Sequence, residues 1–295
     1  MTDKRLGLAE AAALIPDGTT IAVGGAILRH KPMALLRELV RQGRRDLTLQ
    51  ARLAGLDVDL LVGGGCVSRV ESAYQGLGSF GPAPNLRRAV EADTAQVRDV
   101  TEGSMIGRFE AAASGLPFYP LRPRPGTDLV DSPDIALIED PFTGDHVGAL
   151  RPAVPDVAVI HGCFADEAGN VAHPARHGGD EVDVLIAKAA KKVIVTAEQV
   201  VSRSEMARRP HQTYIPRDWV DAVVETPYGA HPGCCDGFYD VDTTALTEYL
   251  DAAADPERFR AWLDSHVREP ANHLDYLERA TTPLAIAALT TPSEA

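Results

Sequence analysis

Short apolar runs typical of buried β-strands alternate with helix-forming segments along most of this chain. The predicted strands are 19–25, 46–52, 67–74, 95–100, 156–162, 191–198 and 219–226. The predicted helices between them are 6–15, 32–43, 57–65, 85–93, 101–115 and 180–190. Gly and Pro close many of these segments, as at Pro16 and Gly18. Strands that alternate with helices predict an α/β protein with a mainly parallel sheet.

The alternation is interrupted in the middle of the chain and again near its end. After a short extended piece at 117–122, the stretches 123–133 and 140–155 are predicted to be irregular. From about residue 243 the pattern becomes helical. Because no stretch has the composition of a linker, we predict one domain over 1–295 with a helical C-terminal part from about 243.

The charge balance and the cysteines limit the partners and the location. The net charge is −13, whereas a surface that binds nucleic acid needs clustered Lys and Arg. No apolar run approaches the ~20 residues needed to cross a bilayer, and the first residues lack an export signal. The cysteines do not form a spaced disulfide framework; they are Cys66, Cys163, Cys234 and Cys235. We therefore predict a cytoplasmic protein with reduced thiols and no nucleic-acid or membrane partner.

Three local motifs match known binding patterns only in part. GLGSFG (76–81) has the letters of a dinucleotide-binding turn, but Pro82 and Pro84 prevent a helix from starting at its third glycine. HGC (161–163) and HPGCC (231–235) bring His and Cys together, but neither has the spacing that places two ligands on one zinc ion. The local patterns therefore predict surface loops and no metal.

The segment VGGAILRHKP (23–32) is a candidate ligand-binding turn. Gly24 and Gly25 close a predicted strand, and Pro32 opens the next helix. Without a Cβ in the way, backbone N–H groups can approach a phosphate or an oxyanion, and the Arg-His-Lys triplet that follows adds positive charge. A plain strand-to-helix turn explains the same residues, and the pattern leaves both interpretations open.

The segment TEGSMIGRF (101–109) begins a predicted helix. Thr101 can cap this helix, and Glu102 then lies in the first turn, where a negative charge suits the helix dipole. The same place would fix a carboxylate for chemistry, provided that partial burial withdraws it from water. Three further side chains could bind a substrate carboxylate but are expected in solvent; they are Arg108, Arg122 and His146.

Five segments follow one another in a recognisable order. They are IPDGTTIAVGG (15–25), TEGSMIGRFEAAASGLPFYPLR (101–122), FADEAGN (164–170), AAKKVIVTAEQVV (189–201) and VDAVVETPYGAHPG (220–233). Together they resemble the α subunit of family I CoA-transferases, of the kind that includes glutaconate CoA-transferase. They are also similar to the A subunit of actinobacterial hydrolases that open a steroid-derived ring in a CoA thioester. The resemblance extends over about residues 5–250.

The resemblance implies a three-layer α/β/α open sandwich, in agreement with the alternation of strands and helices. It also implies a hetero-oligomer with a β subunit that carries the nucleophilic glutamate of the transfer reaction. The substrates would be acyl-CoA and carboxylic acids, with no permanently bound cofactor. Gly24 and Gly25 match the family's glycine loop, in which Ala26 stands where Phe is common. Glu102 and Gly103 match a Gln-Gly position linked to the oxyanion hole.

The identity of residue 102 separates two chemistries. A glutamine amide can donate a hydrogen bond to an oxyanion, whereas an ionised glutamate cannot. The resemblance to the ring-opening hydrolases implies a catalytic role for a glutamate in a similar segment of their A subunit. Our first prediction is the α subunit of a CoA-transferase. The alternatives are the A subunit of a hydrolase that cleaves a C–C bond with Glu102 as catalytic residue, and a non-catalytic metabolite-binding module.

Overall fold

The structure, a computed structural model, describes residues 3–122, 132–173 and 181–290. Its strands are β1 (Thr20–Val23), β2 (Leu47–Ala54), β3 (Val67–Gln75), β4 (Gln96–Asp99), β5 (Tyr119–Leu121), β6 (Ile135–Glu139), β7 (His146–Leu150), β8 (Val157–Asp166), β9 (Val171–Ala172), β10 (Lys192–Val201), β11 (Thr213–Ile215) and β12 (Ala222–Glu225). Parallel pairing gives the order β4-β3-β2-β1-β8-β10-β12. β9 and β11 extend this sheet by antiparallel pairing.

Helices cover both faces of the sheet. They are α1 (Leu8–Ala13), α2 (Met33–Arg41), α3 (Leu56–Gly63), α4 (Pro84–Glu91), α5 (Glu102–Ala113), α6 (Glu181–Ala189), α7 (Arg203–Met206), α8 (Thr243–Ala253), α9 (Pro256–Leu263), α10 (His273–Ala280) and α11 (Pro283–Ala288). One apolar core joins the sheet to α1–α4, α8 and α9. A second core joins the opposite face to α5 and α6. The predicted three-layer α/β/α sandwich is confirmed.

The central strand β8 shows why its sequence is apolar at consecutive positions. Val157 and Val159 belong to the first core, whereas Ala158 and Ile160 belong to the second. Successive side chains of a strand point to opposite faces, and a parallel sheet covered on both faces is apolar on both. The run DVAVI therefore indicates a strand buried between two helical layers.

The middle of the chain departs from the predicted irregular structure. β6 and β7 pair antiparallel, and β5 pairs with the other edge of β7 to complete a small three-stranded sheet. The prediction of an irregular 140–155 was therefore wrong for β7. β6 is half exposed, and Leu137 retains 57% exposure. Because apolar residues lie on both faces of β6, the alternation that marks a half-buried strand is missing.

The C-terminal part is helical from Thr243 to Ala288, in line with the predicted change near residue 243. α8 and α9 pack on the first core through Leu246, Tyr249 and Phe259. Within the described ranges, no helix has both the length and the apolarity needed to cross a membrane. That the whole chain forms one domain stays a prediction.

Candidate functional site

Gly24 and Gly25 lie where β1 ends, at the carboxyl edge of the parallel sheet. Gly25 has φ +69°, in the left-handed region, and a Cβ there would lie 2.3 Å from the carbonyl oxygen of Arg29. A Cβ on Gly24 would lie 2.6 Å from Oδ1 of Asp183 on α6. The tight turn therefore requires glycine at 25, where the close atom belongs to the backbone, whereas a side chain at 24 would have to displace the Asp183 carboxylate.

The N–H groups of the turn donate to acceptors within the chain. Gly24 donates to the carbonyl of Val159 at 2.9 Å, and Gly25 donates to Oδ1 of Asp183 at 2.8 Å. Ala26, which is partly exposed, donates to the carbonyl of Arg29 at 2.9 Å. A bound anion would have to displace one of these acceptors. The oxyanion role of Gly24, Gly25 and Ala26 therefore stays a prediction.

Glu102 begins α5 as the sequence predicts. The Thr101 side chain caps this helix by accepting a hydrogen bond from Ser104 N–H at 3.1 Å. The Glu102 carboxylate accepts a hydrogen bond from Arg52 of β2 at 2.8 Å. Its side chain is 51% exposed, so this chain by itself does not withdraw the carboxylate from water. A general base at Glu102 would need a further surface to cover it.

The fold places the glycine turn and Glu102 at the same edge of the sheet, and β2 connects them. Ile27, which follows the glycine turn, donates its N–H to the carbonyl of Leu53 on β2 at 3.2 Å. The neighbouring residue Arg52 holds Glu102. Carboxyl ends of parallel strands are where open α/β sheets bind ligands. Two segments about 75 residues apart in the sequence therefore contribute to one candidate site.

Gly103, like Glu102, is exposed. It is the second residue of α5, and a Cβ added to it would meet nothing within 4 Å. The first N–H groups of a helix have no partner within the helix and carry part of its positive dipole. The N–H of Gly103 is thus positioned to donate to an anion that approaches the start of α5.

A buried ion-pair network connects α5 to β3 and to the residue just before β6. Arg108 contacts Glu71 of β3 at 3.2 Å and Asp134, just before β6, at 3.6 Å. Arg98 of β4 contacts the same two carboxylates, at 3.2 and 2.7 Å. The expectation that Arg108 is solvated was wrong, because its side chain is only 4% exposed. Arg122 and His146 are exposed as expected.

A second polar cluster lies deep in the fold and was not predicted. The Glu198 carboxylate contacts His161 Nε2 at 2.7 Å and accepts from the Tyr239 hydroxyl at 2.6 Å. It also accepts from the N–H groups of Tyr228 and Gly229, at 2.6 and 3.0 Å. Burial and this carboxylate hold the pKa of Tyr239 well above its usual value. With four partners, Glu198 organises the loop after β12 and is not available to a substrate.

Known proteins are similar to this chain, in sequence and in structure, along most of its length. The family model described as Coenzyme A transferase matches residues 6–226. The A subunit of glutaconate CoA-transferase from Acidaminococcus fermentans is 35% identical, over 91% of this chain and 88% of that protein. The crystal structure of glutaconate coenzyme A-transferase from the same organism superimposes with a TM-score of 0.92 at 33% identity, over 98% of this chain and 96% of the other.

Two other relatives bear on the alternative chemistry and on length. The IpdA subunit of a cholesterol ring-cleaving hydrolase from Rhodococcus jostii is 32% identical, over 90% of this chain and 92% of that subunit. An uncharacterized protein of Archaeoglobus fulgidus is 37% identical over 94% of this chain, which spans 62% of the length of that protein. By identity, the hydrolase is thus not favoured over the transferase.

Proposed function

Because the chain belongs to the coenzyme A transferase family, we propose that it is the A subunit of a heteromeric CoA-transferase. The enzyme exchanges coenzyme A between an acyl-CoA and a carboxylic acid, and needs no permanently bound cofactor. The observation that carries the proposal is the match to the A subunit of glutaconate CoA-transferase over 91% of this chain. The same edge of the sheet holds the glycine turn and the start of α5. A membrane or nucleic-acid partner has no part in this reaction.

The B subunit supplies the nucleophilic glutamate in this proposal. Its carboxylate attacks the acyl-CoA carbonyl, releases CoA as a thiolate and forms an acyl anhydride. The thiolate then attacks the glutamyl carbonyl, which frees the first carboxylic acid and leaves CoA on the glutamate as a thioester. A second acid reverses both steps and leaves as the new acyl-CoA.

This chain completes the pocket in which those steps occur. We infer that the N–H of Gly103 donates to the oxyanion that develops on the acyl carbonyl. Glu102 lies against the bound acyl group, held by Arg52. The B subunit covers Glu102, which is half exposed here. The turn at Gly24 and Gly25 forms the opposite wall, with Ala26 leaving space that a larger side chain would fill.

Trapping with borohydride tests the transfer reaction. The complex of the chain with its B subunit is incubated with an acyl-CoA and then reduced, so that a glutamyl thioester becomes an alcohol. We expect mass spectrometry to find this alcohol on one glutamate of the B subunit. Hydrolytic turnover of the thioester substrate with no trapped glutamate would favour the ring-opening alternative instead.

Glu102→Gln tests the role of Glu102 independently of the trapping result. We expect kcat/KM for transfer to rise by about tenfold, or about 1.4 kcal/mol of transition-state free energy, because the glutamine amide can donate to the oxyanion and the carboxylate cannot, while trapping persists. Glu110→Gln is the matched control, because Glu110 lies on the same helix and is exposed. Equal kcat/KM in the Glu102 variant and the wild type would show that Glu102 has no role in the transfer reaction.

A further inference from the structure

Three side chains that can bind a metal meet behind the glycine turn, although they are far apart in the sequence. His30 ends the loop that follows Gly25, Cys163 lies on β8, and Cys235 lies in the loop after β12. The relative exposure of these residues is 5%, 0% and 0%. Both cysteines are free thiols. Cys163 and Cys235 pack with Ala230 and Tyr239 in a small third core, and the transfer reaction uses none of the three side chains.

The distances within the group suit a tetrahedral ion. Cys163 Sγ and Cys235 Sγ lie 3.5 Å apart, and Cys235 Sγ lies 3.8 Å from His30 Nδ1. The three ligand atoms all lie within 4.8 Å of one another. Around zinc, bonds of about 2.3 Å to sulfur and about 2.0 Å to nitrogen place sulfur atoms about 3.8 Å apart and sulfur and nitrogen about 3.6 Å apart. Shifts of a few tenths of an ångström would therefore bring Cys235 to bonding geometry with each of its two neighbours, and all three ligand atoms lie close enough to reach one ion.

The surroundings of His30 supply the support that such a ligand needs. The Asp236 carboxylate lies 3.6 Å from His30 Nε2, on the far side of the ring from the thiols. Arg29 holds this carboxylate at 2.7 Å. A carboxylate behind a ligating imidazole fixes its orientation and accepts a hydrogen bond from its other ring N–H. In this structure the Asp236 N–H donates to Nε2 at 3.2 Å, which places the proton of the neutral ring on Nδ1, so loading requires this bond to break and the proton to move from Nδ1 to Nε2.

A neighbouring group of three possible ligands is less suited to a metal ion. His161, Glu198 and Cys235 also place three ligand atoms within 4.8 Å. Glu198 already accepts hydrogen bonds from Tyr239 and from two backbone N–H groups, so binding a metal would break them. The His30 group gives up the weaker contacts of Asp236 N–H with His30 Nε2 at 3.2 Å and of the Cys163 thiol with the Asp236 carbonyl at 3.5 Å. Two thiolates and one imidazole are soft ligands, which select Zn²⁺ or Cu⁺ over Mg²⁺ or Ca²⁺.

We propose that His30, Cys163 and Cys235 bind a thiophilic metal ion such as Zn²⁺, which clamps the loop 24–31 to β8 and to the loop after β12. Local spacing in the sequence predicts no metal because the three ligands come from three separate segments. The Cβ position of Gly25 lies 2.5 Å from the carbonyl oxygen of His30. The ion would therefore stabilise the turn that forms one wall of the candidate site without touching the substrate.

The first test is zinc-edge X-ray absorption on the full chain in complex with its B subunit, loaded with one equivalent of Zn²⁺. We expect two sulfur neighbours at about 2.3 Å and a nitrogen neighbour at about 2.0 Å. A shell of oxygen and nitrogen alone, typical of adventitious surface binding, would overturn the proposal. A disulfide-linked Cys163–Cys235 peptide in protein alkylated without reductant would also overturn it, because an oxidised pair has no thiolates to offer.

Variants assign the ligands to this chain. Zn²⁺ affinity, measured by competition with a chromophoric chelator, should fall about 100-fold or more in Cys163→Ala and Cys235→Ala. Cys66→Ala is the matched control, because Cys66 is equally buried but lies between α3 and β3, and it should bind as the wild type does. Equal affinity in all of these proteins would contradict the assignment. Even if a variant does not fold, the zinc-edge absorption spectrum of the wild type shows whether two sulfur atoms bind the ion.

Discussion

At the scale of single residues, Gly25 shows how strongly the site depends on one backbone conformation. Its φ of +69° is open to glycine, and the carbonyl oxygens of Arg29 and His30 lie 2.3 and 2.5 Å from where a Cβ would be. Both atoms belong to the backbone, so neither can move aside as a flexible side chain could. The same turn carries Ala26 to the partly exposed edge of the pocket.

Gly25→Ala should therefore destabilise the protein by about 3 kcal/mol or more, measured by urea unfolding, because strain and a backbone clash add. Gly18→Ala is the matched control. Gly18 has φ +77°, but a Cβ there meets nothing within 4 Å, so its cost should be only about 1–2 kcal/mol. Equal losses in the two variants would mean that the close approach at Gly25 is unimportant.

Some of the residue roles could be predicted from the sequence and others could not. The cap at Thr101 follows from local chemistry, since one side chain and one N–H three residues away suffice. The burial of Arg108 depends on Glu71 and Asp134, which come from other segments of the chain. His30, Cys163 and Cys235 meet only after the sheet has formed. Local sequence patterns carry no information about contacts between residues that are far apart in the sequence.

At the scale of elements, α10 docks on the body of the protein through His273. The ring donates from Nε2 to the carbonyl of Pro227 at 2.9 Å, and Nδ1 accepts from Arg37 of α2 at 3.4 Å. Burial, with the nearby Arg37 cation, lowers the pKa of His273 from 6.5 to about 3. A proton on Nδ1 would face the guanidinium donor, so this contact needs the neutral ring.

The docking of α10 should weaken in acid. Below pH 6.5 the unfolded chain binds a proton at His273 that the folded state excludes until about pH 3. The free energy of unfolding therefore decreases as the pH is lowered through this window, and His273 contributes up to about 1.4 kcal/mol of this decrease per pH unit. His273→Gln should lessen that slope in urea unfolding, whereas exposed His146→Gln should not. Parallel slopes for wild type and His273→Gln would contradict this assignment.

Strands of the central sheet were easier to predict than those of the small sheet. β10 is a run of β-branched residues buried on both faces, and its sequence identifies it at once. β6 and β7 are five residues each and partly exposed. Their stability comes from pairing with each other and with β5, and a pairing partner is not visible in a local pattern.

At the scale of the whole molecule, the candidate site is open on one side. Glu102 is half exposed, and a Cβ added to Gly103 would meet nothing within 4 Å. A pocket that excludes water from a thioester reaction needs a covering surface. In the proposed enzyme the B subunit would supply that surface together with the nucleophile, and the exposed carboxylate of Glu102 would then lie inside the completed pocket.

The most direct test of this account measures CoA transfer from an acyl-CoA to a second carboxylic acid by the purified chain, first alone and then together with its B subunit. We predict no transfer by the chain alone and turnover that saturates at one B subunit per chain. Full turnover by the isolated chain, or no transfer by the assembled complex with any acyl-CoA of its family's substrates, would contradict it.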